Sequence, residues 1–191
     1  SKTGLDFDEL GVNEVVEMLS SANMEAVLRD FGDRNPQEDP VIHFYELFLK
    51  EYDAKKRIER GVFYTPRQIV SFIVRSVHEM LIDKFGLPDG LANTSTWGEM
   101  VGHNRSLKMP PGTRADDPFV TVLDPAVGTG TFLVEVIELV YATLRDKWQA
   151  EGKSMGQIRE LWNAYVPKHL LPRLYGFELM MAPYAIAHMK I

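Results

Sequence analysis

Apolar residues recur at helical spacing over residues 5–35, where Val12, Val15, Val16 and Leu19, then Val27, Leu28 and Phe31, fall on common faces. The segment is predicted to be helical. A second helix is expected to begin at Asp39-Pro40, a cap followed by a first-turn proline, and to run through Phe44, Tyr45, Phe48 and Tyr52 to the basic Lys55-Lys56-Arg57. That trio reads first as a solvated helix end. From Pro66, the residues Ile69, Phe72, Ile73, Val77, Met80 and Leu81 predict the core face of a third helix, which stops at Gly86 before Pro88. The period then breaks. Residues 88–118 are rich in Gly, Pro, Asn and Thr, hold Trp97, and predict a long irregular insertion in which Gly90 is expected to tolerate alanine. Next come a strand-forming run, Val120-Thr-Val122-Leu123-Asp124, and two glycines, Gly128 and Gly130. They are followed by a helical stripe of Leu133, Val136, Ile137, Val140, Tyr141 and Leu144. A further helix is expected over 154–165 and a second strand over Arg173–Glu178. The order strand, helix, strand predicts an α/β unit with parallel, right-handed pairing.

Composition narrows the class. With 191 residues and 45% hydrophobic content the chain can bury a sizeable core. The absence of cysteine excludes disulfides and thiolate metal sites. His43, His78, His103, His169 and His188 lack metal-ligand spacing, so no metal is expected. Apolar runs fall well short of a membrane span, and no signal-like start is evident, which points to a cytoplasmic domain. The net charge is −6, with 14 acidic and 8 basic residues in 1–60 and 13 of each in 61–191. Nucleic-acid footprints are usually basic, so the charge argues against strong DNA affinity in this chain. Arg105, Lys108 and Arg114 in the insertion read first as solubilising charges.

The run from Val120 to Leu133 carries the chemistry. Asp124 stands at the carboxyl end of a strand, where open α/β sheets bind ligands, and Gly128 and Gly130 let backbone approach a ligand without Cβ atoms in the way. A dinucleotide fingerprint needs a small residue where Leu133 stands, and a phosphate loop needs Lys-Ser/Thr where Thr131-Phe132 stand. Asp-Pro-Ala-x-Gly-x-Gly-x-Phe-Leu instead resembles the S-adenosylmethionine loop of the adenine-N6 DNA methyltransferases. Gly61-Val-Phe-Tyr64-Thr65-Pro66 resembles that family's other cofactor motif and precedes the glycine loop, as it does there. The same residues also read as a helix start, with Thr65 as N-cap, Pro66 at the first helical position and Gln68 closing a capping box. Leu174-Tyr-Gly176-Phe-Glu178 completes the set as a strand ending in an acid, although Glu178 can equally favour the start of the next helix.

The resemblance spans residues 39–191 and is closest to the methyltransferase portions of restriction-modification polypeptides. It implies a Rossmann-like fold that begins here, its cofactor-binding part over 61–191 following the helical extension that the periodicity predicts over 1–60. It implies that Asp124 anchors the methionine end of S-adenosylmethionine. Ala126, Gly128 and Gly130 then form the loop, Phe132 walls the pocket, Glu178 holds the ribose and Leu179 packs on adenine. Tyr64, Thr65 and Pro66 would close over the methionine moiety. Two departures stand out. Glu178 lies 48 residues beyond Gly130, so an enlarged crossover is required. The family's Asn/Asp-Pro-Pro-aromatic catalytic signature is absent, since Pro110-Pro111 follows Met109 and precedes Gly112. The chain is therefore read as a fragment whose catalytic motif lies beyond Ile191 and whose DNA contacts lie outside it. Two other readings stay open: a nucleotide-binding oxidoreductase domain, and a non-enzymatic helical coupling module of a multidomain machine.

Overall fold

The computed structural model describes residues 65–191. The helices expected over 5–35 and 39–57, and Tyr64, lie outside the described residues. The first helix, α1, spans Arg67–Phe85 and ends at Gly86, whose φ of 67° is left-handed. The Gly86 N–H donates to the Ile82 carbonyl and the Leu87 N–H to the Leu81 carbonyl, which satisfies the last turn as expected of this stop. Its start differs from expectation. Pro66 occupies the cap position and its carbonyl accepts from Ile69 and Val70, with no side-chain cap, so Thr65 lies one residue too far out to serve.

The buried face of α1 is also not the expected one. Val70 and Val74 are buried, while Ile69, Phe72, Ile73, Val77 and Met80 are 41–72% exposed, and only Leu81 of the expected stripe packs on the core. Apolar residues occur on more than one side of this helix, and the partner across the interface selects which side is covered. Here the partner is the long helix α3 (Thr131–Ala150), with a buried 3-10 turn at Gly90–Ala92. Helix α3 meets expectation closely: Leu133, Val136, Val140 and Leu144 are buried, with Ile137 packed at the margin.

The insertion at 88–118 is less irregular than its composition implies. It contains that 3-10 turn and a short helix α2, Trp97–His103. Helix α2 starts with a capping box: the Glu99 N–H donates to Thr96 Oγ1, and the Thr96 N–H donates to Glu99 Oε2. Gly90 is buried at a φ of 51°, against the expectation that it sits in an open loop.

Strand β1, Val122–Asp124, pairs in parallel with β2, Leu174–Gly176, with Asp124 opposite Gly176. The pair is an α/β arrangement, and among the described residues these are its two strands. The crossover holds α3, helix α4 (Met155–Tyr165), a π turn at Val166–Leu170 and a 3-10 turn at Leu171–Arg173. These elements account for the separation of Gly130 from Glu178. Helix α5, Met181–Lys190, follows β2.

His78 joins α1 to the 3-10 turn, its Nδ1 accepting the Leu91 N–H at 3.2 Å. Burial lowers its pKa below 6.5, more than the carboxylates of Glu79 and Asp89 raise it. The unfolded chain therefore takes up the proton more readily, so His78 contributes stability that is complete above pH 6.5 and declines as the pH falls towards its depressed folded value. Burial and the nearby Lys168 and Arg173 depress His169 in the same direction. Urea unfolding at stepped pH is expected to show this decline, and His78→Gln should flatten it; an unchanged pH profile in that variant would exclude His78 as its source.

Candidate cofactor site

The site is built where β1 ends. The Asp124 carbonyl accepts the Phe177 N–H, and the Phe177 carbonyl accepts the Val127 N–H, both at 3.0 Å, so strand-like pairing continues past β2 and carries the glycine turn against its end. Within the turn, Asp124 Oδ1 accepts the Ala126 N–H at 3.0 Å. Asp124 Oδ2 is buried and has no hydrogen-bond partner. A buried carboxylate oxygen is ordinarily satisfied, so this atom marks a place where a donor belongs.

Both glycines have left-handed backbones, with φ of 56° at Gly128 and 84° at Gly130, which nearly all L residues disfavour. Their surroundings differ. A Cβ on Gly128 would meet nothing within 4 Å, whereas one on Gly130 would lie 3.3 Å from the Ala187 Cβ of α5. Gly128 thus borders open space, and Gly130 accommodates a helix while serving as the cap of α3.

Glu178 closes the arrangement. Its Oε2 accepts the Gly128 N–H and its Oε1 accepts the Met180 N–H, each at 2.8 Å. The two motifs, 50 residues apart in sequence, therefore meet directly. Leu179, beside it, is 99% exposed. Phe132 turns inward and packs on the core cluster. Thr65 and Pro66 directly precede Arg67, whose guanidinium lies 3.6 Å from Glu135 and 2.6 Å from Glu138 of α3; among the described residues no hydrogen bond links either residue to the glycine turn.

Gly176 is a further residue of the site that sequence reading passed over. A Cβ there would collide with the Val127 side chain and crowd Leu133, so glycine at the end of β2 is what lets the turn lie close. Its signal was a glycine two residues before the strand-terminal acid. A separate groove of about 640 Å³ lies between α3 and α4, lined by Ile137, Tyr141, Met155, Arg159 and Trp162. Its one carboxylate, Glu138, is already held by Arg67, and it lacks the converging donors and acceptors of the glycine turn.

A strand end, a left-handed glycine turn and an acid two residues beyond the adjacent strand thus stand together at the carboxyl edge, the side on which open α/β sheets hold ligands. Residues 36–85 match the model of the N-6 DNA methylase family. Over this segment, 50 of the 191 residues, the chain is similar to that family. No curated protein and no solved structure matches the chain significantly. The matched residues include the Tyr64-Thr65-Pro66 motif and α1 but neither the glycine turn nor Glu178. No helix among the described residues is long and apolar enough to cross a membrane.

Proposed function

We propose that this chain is the S-adenosylmethionine-binding portion of an adenine-N6 DNA methyltransferase of the restriction-modification type, with a Rossmann-like fold. The observation that carries the reading is the unpartnered, buried Oδ2 of Asp124 beside the open, left-handed Gly128. An ammonium group would satisfy that oxygen, and a cofactor can lie over Gly128 without meeting a side chain. Ala126 and Gly130 shape the turn. Glu178, already fixed by two backbone donors, has lone pairs left for ribose hydroxyls. Leu179 offers a bare apolar surface to a base, while Phe132 supports the turn from the core side. Tyr64, Thr65 and Pro66 are assigned to the methionine end.

Bound here, the cofactor would supply an electrophilic methyl group. The chain's own residues bind and orient it; no metal is required. The adenine must leave the duplex to expose its amino group, and the groups that hold it belong to the signature absent from this sequence. Cytoplasmic location, and partnership with other domains of a restriction-modification polypeptide, follow from the same reading.

Calorimetry with S-adenosylmethionine tests it. Glu178→Ala is expected to weaken binding by roughly 1–3 kcal/mol, the range for removing one partner of a buried hydrogen bond. Equal affinity in variant and parent would remove Glu178 from the site. A parent stabilised against heat by NAD and not by S-adenosylmethionine would replace this reading with the oxidoreductase alternative.

A further inference from the structure

Residues 95–119 form a closed loop with a built base. Phe119 donates its N–H to the Ser95 carbonyl at 2.9 Å, Trp97 to Asp117 at 3.0 Å and Gly98 to Ala115 at 2.8 Å. Thr96 and Pro118 bridge in antiparallel fashion, and the Trp97 ring meets the edge of Phe119 with centroids 4.7 Å apart. Helix α2, fixed by its capping box, rises from this base, and an Asn104 turn follows in which Oδ1 accepts from Ser106 N–H and Oγ–H. The tip is therefore held in shape by its own hydrogen bonds.

The loop as a whole is balanced, with Glu99, Asp116 and Asp117 against three bases, but its tip is basic. Residues 100–115 contain Arg105, Lys108 and Arg114 and no acid, in a protein of net charge −6. Arg114 is engaged, lying 3.0 Å from Asp116 and 3.3 Å from Asp117. Arg105 and Lys108 are exposed and have no ion-pair or hydrogen-bond partner among the described residues. Two uncompensated cations on a preordered projection suit the phosphate backbone of a nucleic acid, because the projection is already ordered before contact. An overall acidic balance does not oppose this, since beyond about 8–10 Å other charges are screened at ordinary ionic strength. The net charge alone pointed instead to DNA contacts outside this chain.

We infer that the 95–119 loop is a DNA-backbone contact, with Arg105 and Lys108 each neutralising a phosphate. The inference deepens the methyltransferase reading, from which the choice of DNA follows. It is sequence-independent: phosphate contacts set position on the duplex and do not read bases.

The test is fluorescence anisotropy of a short labelled duplex with the 191-residue chain. The parent is expected to bind weakly, with affinity falling as salt rises. Arg105→Ala/Lys108→Ala should bind about tenfold or more weakly at about 50 mM salt and lower the salt slope by about 1.8, or about 0.9 per lost contact. Arg114→Ala, from the same loop, should leave the slope close to the parent's. Because Arg105 and Lys108 are exposed and make no hydrogen bond or ion pair among the described residues, the double variant should melt with the parent. A parent that does not bind, a double variant with the parent's affinity and slope, or equal competition by polyglutamate at matched charge would each overturn the inference. Calorimetry with S-adenosylmethionine on the same proteins separates the two proposals. Intact cofactor binding beside an unchanged salt slope removes the loop contact alone, and absent cofactor binding beside the expected slope change removes the cofactor reading alone.

Discussion

Arg173→Ala is expected to destabilise the domain by about 3 kcal/mol, since hydrogen bonds from a charged group contribute roughly 1.5–3 kcal/mol each and a cavity is added, while some desolvation is relieved. Arg173 is 4% exposed, at the end of the Leu171–Arg173 3-10 turn that leads into β2. Its Nη1 donates to the Asn93 carbonyl at 2.7 Å and its Nη2 to the Tyr165 hydroxyl at 2.5 Å, and Tyr165 donates in turn to the Ala92 carbonyl at 2.8 Å. One side chain thus ties the 3-10 turn, the end of α4 and the start of β2 together. Burial pulls the guanidinium below its ordinary pKa and pushes the phenol up, and the proximity of the two opposes both shifts. No carboxylate lies within ion-pair distance of Arg173 among the described residues, so its charge is balanced by oxygen dipoles alone.

Arg173→Met separates the contributions. Methionine fills much of the volume and removes the buried charge, so its loss should be clearly smaller than that of alanine. Urea unfolding measures both. An alanine variant within about 0.5 kcal/mol of the parent, the range of ordinary surface substitutions, would show that the network does not hold the fold. Glu178 lies five residues beyond Arg173 in sequence, so a shift of β2 should also weaken the cofactor binding proposed for this chain.

The second large effect is expected at Gly90. A Cβ there would lie 2.6 Å from His78 Nδ1 and 2.7 Å from its Cε1, on a backbone whose φ of 51° is already left-handed. Gly90→Ala should therefore combine strain of about 1–2 kcal/mol with overpacking of about 1–3 kcal/mol. It should also displace the imidazole that accepts the Leu91 N–H. Gly86 provides the comparison: its φ is 67°, but a Cβ would meet nothing within 4 Å, so alanine there should show the strain alone. A double-mutant cycle with His78→Ala isolates the clash, because the loss from Gly90→Ala should shrink once the ring is gone. Losses at Gly90 and Gly86 that are equal would place the whole effect in backbone strain. This outcome reverses the expectation of tolerance drawn from composition, and the reason is geometric: a stretch rich in turn formers can still be buried when a helix packs over it.

The adenine-N6 methyltransferase resemblance was legible because its signals are local. The run into Asp124, the spacing of Gly128 and Gly130 and the stripe Leu133-Val136-Val140-Leu144 each fix a backbone state or a helix face within a few residues. The stop at Gly86 needs only its own left-handed φ and two hydrogen bonds within one turn. Glu178 could be named from its place after an apolar run.

What lay beyond the sequence was the choice among chemically equivalent surfaces and partners. Ile69, Phe72 and Ile73 are as apolar as Val70 and Val74, yet only the valines face α3, and that selection depends on elements some 60 residues away. The same holds for the carboxylate of Glu178 on the Gly128 N–H, for Arg173 on the Asn93 carbonyl and for Gly176 beneath Val127. Spacing along a chain determines which residues share a face or a turn. Which face is buried, and which donor meets which acceptor, is decided only when distant segments exclude water between them.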